Sequence, residues 1–175
     1  MVYKNRLARF GFITLLYFFF VITVFSSAQA QTTSVDETLR ANVHRFIDEW
    51  HDDAAHARWR YFDKIAKNGI FIGTDKTERW DRDAFKLWAK PHFEKKSAWA
   101  FTALQRNVYF SVDRQFIWFD EQLKTQFGLC QASGVIRATA HGFEIEHYQL
   151  SMAIPNDVAN QVTALINDYE SKPKK

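Results

Sequence analysis

The chain has almost nothing that could brace a fold covalently, because Cys130 is the only cysteine among 175 residues. A single cysteine excludes an intramolecular disulfide. The sequence also lacks an internal repeat, a low-complexity tract and a linker. Stability must therefore come from packing, and residues 31–175 are predicted to form one domain large enough to bury a single core.

A block of basic charge is also missing. The whole chain has 23 Lys and Arg against 20 Asp and Glu, and the difference equals the three basic residues Lys4, Arg6 and Arg9. Residues 31–175 therefore carry balanced charge, which is unlike a nucleic-acid-binding surface. We expect no nucleic-acid partner.

The first thirty residues have the pattern of a signal peptide. The basic start is followed by an apolar run over residues 10–25 and by Ala28-Gln-Ala30, which has the Ala-x-Ala form of a cleavage site. An uncleaved anchor is the alternative, but the run is shorter than the ~20 residues that a spanning helix usually needs. We expect cleavage after Ala30, export to the periplasm or the medium, and no stable membrane anchor afterwards.

The helical part of the pattern precedes the strands. Ser34-Val-Asp-Glu37 has the form of a capping box, and apolar residues at three- and four-residue steps predict one long helix or two in tandem up to Ile65. Asn68-Gly69 is predicted to stop it before a short strand, residues 70–72. Asp81 is predicted to cap a second helix, which Pro91 should end or kink around residues 89–90.

From residue 97 onward the period changes to two. Four runs, residues 98–112, 115–127, 131–139 and 143–151, are separated by short connections typical of antiparallel hairpins. A last helix is predicted from Pro155. Together these elements predict an α+β fold, in which a cone-shaped, curved antiparallel sheet wraps around N-terminal helices and leaves a mouth for a small ligand.

Several short motifs resemble one family. They are Phe71-Ile-Gly-Thr-Asp with Glu78-Arg-Trp80, Trp118-Phe-Asp-Glu121, Ser133-Gly-Val135, and His147-Tyr148 with the following residues to Asn156. Over residues 37–157 the chain resembles the SnoaL-like family of the nuclear-transport-factor-2-like superfamily. The resemblance implies the cone fold with a deep apolar pocket, and a homodimer packed through the outer sheet face. It does not imply one activity.

Two residues are candidates for proton transfer. On the last long strand Glu144 and Glu146 share a face, so the other face, with His147, is predicted to point inward, where an imidazole could act as acid or base; a hydrogen-bonded core histidine is the alternative. On residues 115–127 periodicity does not assign the inner face, and we favour Asp120 because Trp118 would desolvate its carboxylate. The alternative is a structural carboxylate paired with Arg79 or Arg106.

The remaining candidates form a pocket and its rim. Aromatic and polar residues predicted to line the pocket are Trp50, Phe71, Trp80, Trp88, Trp99, Trp118 and Gln149, although the tryptophans also suit a core. The connection after the first strand is predicted to form the rim, with Gly73, Thr74, Asp75, Glu78 and Arg79 in mainly structural roles. His44, His51 and His56 with Asp48, Asp52 and Asp53 lack metal-ligand spacing and predict a solvated helix face.

Two functions follow from this sequence. The first is an exported domain that binds a small apolar or partly polar molecule without changing it. The second is an isomerase, cyclase or dehydratase that needs no cofactor and uses Asp120 or His147 to move a proton. We expect no metal and no cofactor in either case.

Overall fold

The structure is a computed structural model that describes residues 35–172. The predicted signal segment, residues 1–30, and the predicted cap at Ser34 lie outside the described residues. The chain divides into two compact units at residues 45 and 46. Residues 35–45 are helical, and all strands belong to the second unit. No helix within residues 35–172 combines the length and the apolar character needed to cross a membrane.

Four helices and six strands make up the described chain. Helix α1 covers residues 35–55 as far as it is described. The other elements are, in order, α2 Arg60–Asp63, β1 Ile65–Ile72, β2 Arg79–Asp81, α3 Arg82–Phe93, β3 Thr102–Phe110, β4 Phe116–Thr125, β5 Gly128–Thr139, β6 Gly142–Met152, a 3₁₀ turn Asn156–Val158, and α4 Ala159–Ser171. The predicted α+β class is confirmed.

The strands form one sheet in the order β2-β1-β6-β5-β4-β3. Strands β3 to β6 are joined as antiparallel hairpins, as the period-two pattern predicts. Strand β1, in contrast, pairs parallel with β6 and antiparallel with β2. The sheet is therefore mixed at one end, and strand β2 was not predicted, because its three residues are too few to show a period.

Of the two predicted alternatives, the structure has two helices in tandem, α1 and α2, and the helical stretch ends earlier than predicted. Helix α1 ends at residue 55, and β1 already begins at Ile65, so Asn68-Gly69 lies inside a strand rather than at a helix end. The cause is pairing with β6, in which the register shifts between Ile65 and Ile70. A Cβ on Gly69 would lie 2.6 Å from the carbonyl oxygen of Ile145, so glycine permits the close approach of the two strands.

Helix α3 confirms the predicted cap at Asp81 and excludes one of the two effects predicted for Pro91, the end of the helix. The side chain of Asp81 accepts a hydrogen bond from the Ala84 amide at 2.9 Å, as expected of an N-cap. Pro91 does not end the helix, which continues to Phe93. The missing amide costs only one bond near the helix end, while the Phe93 ring is buried 4.7 Å from the Phe62 ring and stabilises the last turn.

The core of the second unit is a cluster of aromatic rings between α1 and the sheet. Trp50 of α1 is fully buried, stacks on Tyr61 at 4.8 Å and meets Tyr148 of β6 edge-on at 4.7 Å. Its indole nitrogen donates to the Tyr61 carbonyl oxygen at 3.2 Å. Because this hydrogen bond satisfies the one polar atom of the indole, Trp50 can be buried without penalty.

A second anchor is ionic. Asp53 on α1 has no exposed surface, and its carboxylate contacts Arg60 Nε at 2.6 Å, Lys64 Nζ at 3.0 Å and Arg58 Nη1 at 3.2 Å. Arg58 lies in the connection after α1, Arg60 in α2, and Lys64 directly before β1. The cluster therefore ties the end of α1 to the start of the sheet, and the prediction that Asp53 lies on a solvated face is wrong.

Candidate functional site

A cavity of about 160 Å³ lies between the C-terminal end of β1 and helix α3. Half of its lining residues are aromatic and come from separate elements: Phe71, Trp80, Phe85, Trp88, Trp99, Phe101 and Phe127, with Gly73, Thr74, Glu78, His92, Ala98, Gln126 and Leu150 between them. Of the predicted pocket residues, Phe71, Trp80, Trp88 and Trp99 line this cavity. The volume suits a single ring rather than a multi-ring ligand, since a cavity of ~150 Å³ accepts benzene.

Local structure explains why these rings converge. Phe71 and Trp80 are directly paired across β1 and β2, so their side chains leave the sheet on one face. Phe85, Trp88 and His92 follow at three- and four-residue steps on α3, which places them on one face of the helix. The Asp81 cap fixes the start of α3 directly after β2, so the two faces meet at a short distance.

The rings form a stacked layer. Phe71 stacks on Phe85 at 4.0 Å, and Phe85 stacks on Trp80 at 5.4 Å. Trp80 contacts Trp88 at 4.6 Å, and Trp99 closes the layer 5.8 Å from Phe85. Trp88 is 42% exposed, whereas Phe85 is buried, so the layer runs from the core to the surface.

The rim is a tight turn between β1 and β2. The Gly73 amide donates to the Glu78 carbonyl oxygen at 2.8 Å, and Asp75 Oδ1 accepts from the amide of Thr77 at 2.8 Å. The carboxylate of Glu78 folds back and accepts from the Asp75 amide at 3.2 Å. Of the predicted rim residues, Gly73, Thr74 and Glu78 line the cavity, whereas Asp75 and Arg79 are exposed outside its lining.

Behind the cavity lies a buried polar cluster that the sequence analysis missed. Glu121 of β4 is 2% exposed, and its carboxylate contacts His51 Nε2 at 2.8 Å, Arg106 Nε at 2.8 Å and the Tyr148 hydroxyl at 3.3 Å. Arg106 continues to Asp48 at 2.7 Å. The His51 ring lies 5.7 Å from the ring of Phe101, which also lines the cavity.

The surroundings of Glu121 decide its ionisation. Burial opposes the charged form, but the hydrogen bond and charge of His51, together with Arg106, outweigh it and hold the pKa of Glu121 below its usual value. An ionised carboxylate only accepts hydrogen bonds, so His51 Nε2 carries the proton of the shared bond. Burial and the negative charge of Glu121 raise the pKa of Tyr148 well above its usual value. The cluster is thus a buried ionic network centred on the Glu121 carboxylate.

The helical spacing of α1 could have shown that His51 is buried. It lies four residues after Ile47 and next to Trp50 on α1, and Ile47, Trp50 and Ala54 are all fully buried. A residue at that spacing faces the core, not solvent. The predicted solvated face is therefore wrong for His51. Within the described part of the chain no group of His, Cys, Asp and Glu side chains is arranged to hold a metal ion.

The predicted orientation of Asp120 is wrong. On β4, Ile117, Phe119, Glu121 and Leu123 are buried, whereas Asp120 is exposed. Asp120 instead accepts a hydrogen bond from Asn107 at 2.8 Å on the outer face. The two faces of β4 are equally apolar in sequence. Glu121 lies on the buried face because its partners His51, Arg106 and Tyr148 are there.

The predicted orientation of His147 is also wrong, and a β-bulge is the reason. Val135 pairs with His147 and Ile136 pairs with Ile145, so Glu146 is an extra residue in β6. The bulge inverts the alternation: Ile145 is buried before it, and Tyr148 and Leu150 are buried after it. His147 and Gln149 therefore fall on the face opposite Tyr148, and neither lines the cavity.

Three predicted pocket residues lie elsewhere. Trp50 is core, and Trp118 is 45% exposed on the outer sheet face, stacked on Tyr109 at 6.0 Å. Gln149 and Asp120 border a polar groove of about 440 Å³, with Gln105, Glu121, Gln122, Gln131, Ala132, Ser133 and Ser151. The polar groove and the aromatic cavity have no lining residue in common and are separate sites.

Solved structures share this fold at low sequence identity. An NTF2-like protein of unknown function from Pseudomonas putida is 8% identical, with a TM-score of 0.58 over 70% of this chain and 92% of that one. A proposed scytalone dehydratase from Novosphingobium aromaticivorans is 7% identical, with a TM-score of 0.59 over 70% and 89%. A proposed ketosteroid isomerase from Parabacteroides distasonis is 10% identical, with a TM-score of 0.53 over 65% and 86%. These likenesses show the fold alone.

The family is shown by the sequence itself. No match is found among curated proteins. The sequence model of the SnoaL-like domain family, however, matches residues 43–155, which include β1 to β6 and α3. The chain therefore belongs to the SnoaL-like domain family.

Proposed function

We propose that this protein binds a small, ring-sized molecule in the aromatic cavity beside α3. The observation that carries the proposal is a space of about 160 Å³ lined by seven aromatic rings and open to solvent near Trp88. Apolar walls with a few polar groups are typical of small-molecule sites. Aromatic rings that already stack on one another need little reordering when a ligand enters, which lowers the entropic cost of binding.

Titration of the protein with single-ring aromatic compounds tests this function. Trp80, Trp88 and Trp99 should report binding by a change in fluorescence, and bound ligand should raise the melting temperature. Ala98 lines the cavity, so Ala98→Leu should fill part of it and weaken binding. Ala138→Leu, on a half-buried alanine at the other end of the sheet, is the matched control. Equal affinity for both variants would refute the site.

The alternative of a cofactor-free isomerase, cyclase or dehydratase now depends on different residues. Asp120 and His147 lie outside the cavity lining, whereas Glu78 and His92 belong to it. A proton-transfer group must come within hydrogen-bond reach of the ligand. If the protein turns over a carbonyl compound, we expect Glu78→Gln or His92→Gln to abolish turnover while binding persists. Loss of turnover in Asp120→Asn alone would contradict this assignment.

We also propose export of the mature domain and its assembly as a homodimer. The pattern of residues 4–30 supports export, and mass spectrometry of the secreted protein should find Gln31 at its N-terminus. Exposed Tyr109, Phe116 and Trp118 on the outer sheet face support a dimer contact. In sedimentation experiments Trp118→Glu should shift the protein to monomer, and a monomeric wild type would exclude the contact.

A further inference from the structure

The charged side chains around the aromatic cavity indicate which class of ligand it binds. Within residues 35–172, the side chains that line the cavity include the carboxylate of Glu78 but no lysine or arginine. Of the nearby cations, Lys76 pairs with Glu170, Arg82 Nε lies 3.0 Å from Asp83, and Lys90 Nζ lies 3.8 Å from Glu94. The lining that the structure describes therefore holds one carboxylate and no lysine or arginine.

The walls of the cavity have the same electrostatic character. The face of an aromatic ring carries partial negative charge, and tryptophan attracts cations most strongly. Trp80, Trp88 and Trp99 all line the space. A cation in the cavity that lies over the free face of one of these indoles, within ~6 Å of its centroid, is attracted by the ring.

A neutral ligand would desolvate the carboxylate of Glu78 without pairing with its charge. Its carboxylate is half-buried, and the hydrogen bond described for it at the rim comes from the Asp75 amide at 3.2 Å. An apolar molecule at the mouth would remove water from this carboxylate without offering a partner, which costs free energy. A positive ligand group removes that cost, because it faces both the carboxylate and the rings.

We propose that the cavity binds a small organic cation, with its ammonium group against Trp80, Trp88 and Trp99 and with Glu78 as the counter-charge. This inference rests on the proposed small-molecule function and specifies its ligand class. The volume of about 160 Å³ admits one compact group such as a trimethylammonium head, and excludes a multi-ring cation. His92, which lies 5.3 Å from Trp88, completes the aromatic wall.

A pair of isosteric probes separates charge from shape. Choline and 3,3-dimethyl-1-butanol have nearly the same volume, but only choline is charged. Titration of the full-length protein, followed by tryptophan fluorescence and calorimetry, should show choline binding at least about tenfold more tightly. Equal or tighter binding of the neutral alcohol would overturn the inference and leave the proposed small-molecule function standing.

Variants locate the cation. Glu78→Gln should weaken choline binding several-fold and leave the neutral probe unchanged, and Trp88→Leu should weaken choline binding about tenfold. Trp59→Leu, at a tryptophan of similar exposure that does not line the cavity, should change neither affinity. If neither probe binds while single-ring aromatic compounds do, only the cation inference fails; if no compound of either kind binds, the proposed function fails as well. Should Glu78→Gln not fold, the comparison of the two probes with the wild type still decides.

Discussion

Replacing Glu121 by glutamine tests the buried polar cluster most directly. Glutamine has nearly the same shape, but its amide carries no charge and has one acceptor oxygen where the carboxylate has two. In the wild type both carboxylate oxygens are used, one by His51 and Tyr148 and the other by Arg106. The variant must therefore point an NH₂ group at a donor on at least one side.

The magnitude follows from the burial of these groups. Glu121 has 2% of its surface exposed, and the side chain of Arg106 has 4%. Removing one partner of a buried ion pair strands the other charge and usually costs about 3–5 kcal/mol. A hydrogen bond to a charged group contributes about 1.5–3 kcal/mol, so the loss of one or two such bonds gives the same range. We expect Glu121→Gln to lower the free energy of unfolding by about 3–4 kcal/mol.

Urea unfolding monitored by tryptophan fluorescence measures this loss, with Asp120→Asn as the matched control on the same strand. Asp120 is exposed and accepts its hydrogen bond from Asn107 at the surface, so its variant should stay within about 0.5 kcal/mol of the wild type. A loss below about 1 kcal/mol for Glu121→Gln would refute the reasoning. It would mean that the cluster relaxes or admits water when the charge is removed.

The pKa of Glu121 is lower in the folded state, so its contribution to the free energy of unfolding is complete above the unfolded-state pKa and is lost as pH falls through the folded-state pKa. Below about pH 4.3 the free energy of unfolding should therefore change less with pH in Glu121→Gln than in the wild type. Asp53→Asn should cost about 2 kcal/mol in urea unfolding, less than Glu121→Gln because Arg60 is largely exposed; a larger cost would contradict that ranking. Gly134→Ala places a Cβ 2.6 Å from the Phe119 ring and should cost about 1–3 kcal/mol, whereas an unchanged melting temperature would show that the ring moves freely.

Much of the fold could be read from local pattern. The period-two runs placed β3 to β6, and Asp81 marked the start of α3, because alternation and capping depend on residues close in sequence. Strand β1 could not be placed in this way, since its start at Ile65 depends on parallel pairing with β6, far along the chain. The helical spacing before it fitted a longer α1 equally well.

Of the candidate site, the sequence supplied the kinds of residue but not their directions. It determined a SnoaL-like α+β domain rich in aromatic residues, and it singled out Phe71, Trp80, Trp88 and Trp99, which the fold brings to one cavity. Tertiary structure alone decided that Glu121 and not Asp120 is buried, and that His147 lies on the face of β6 opposite the buried Tyr148. The physical reason is that one extra residue, Glu146, inverts the alternation of β6, and a bulge is defined by the pairing of strands rather than by the residues within one.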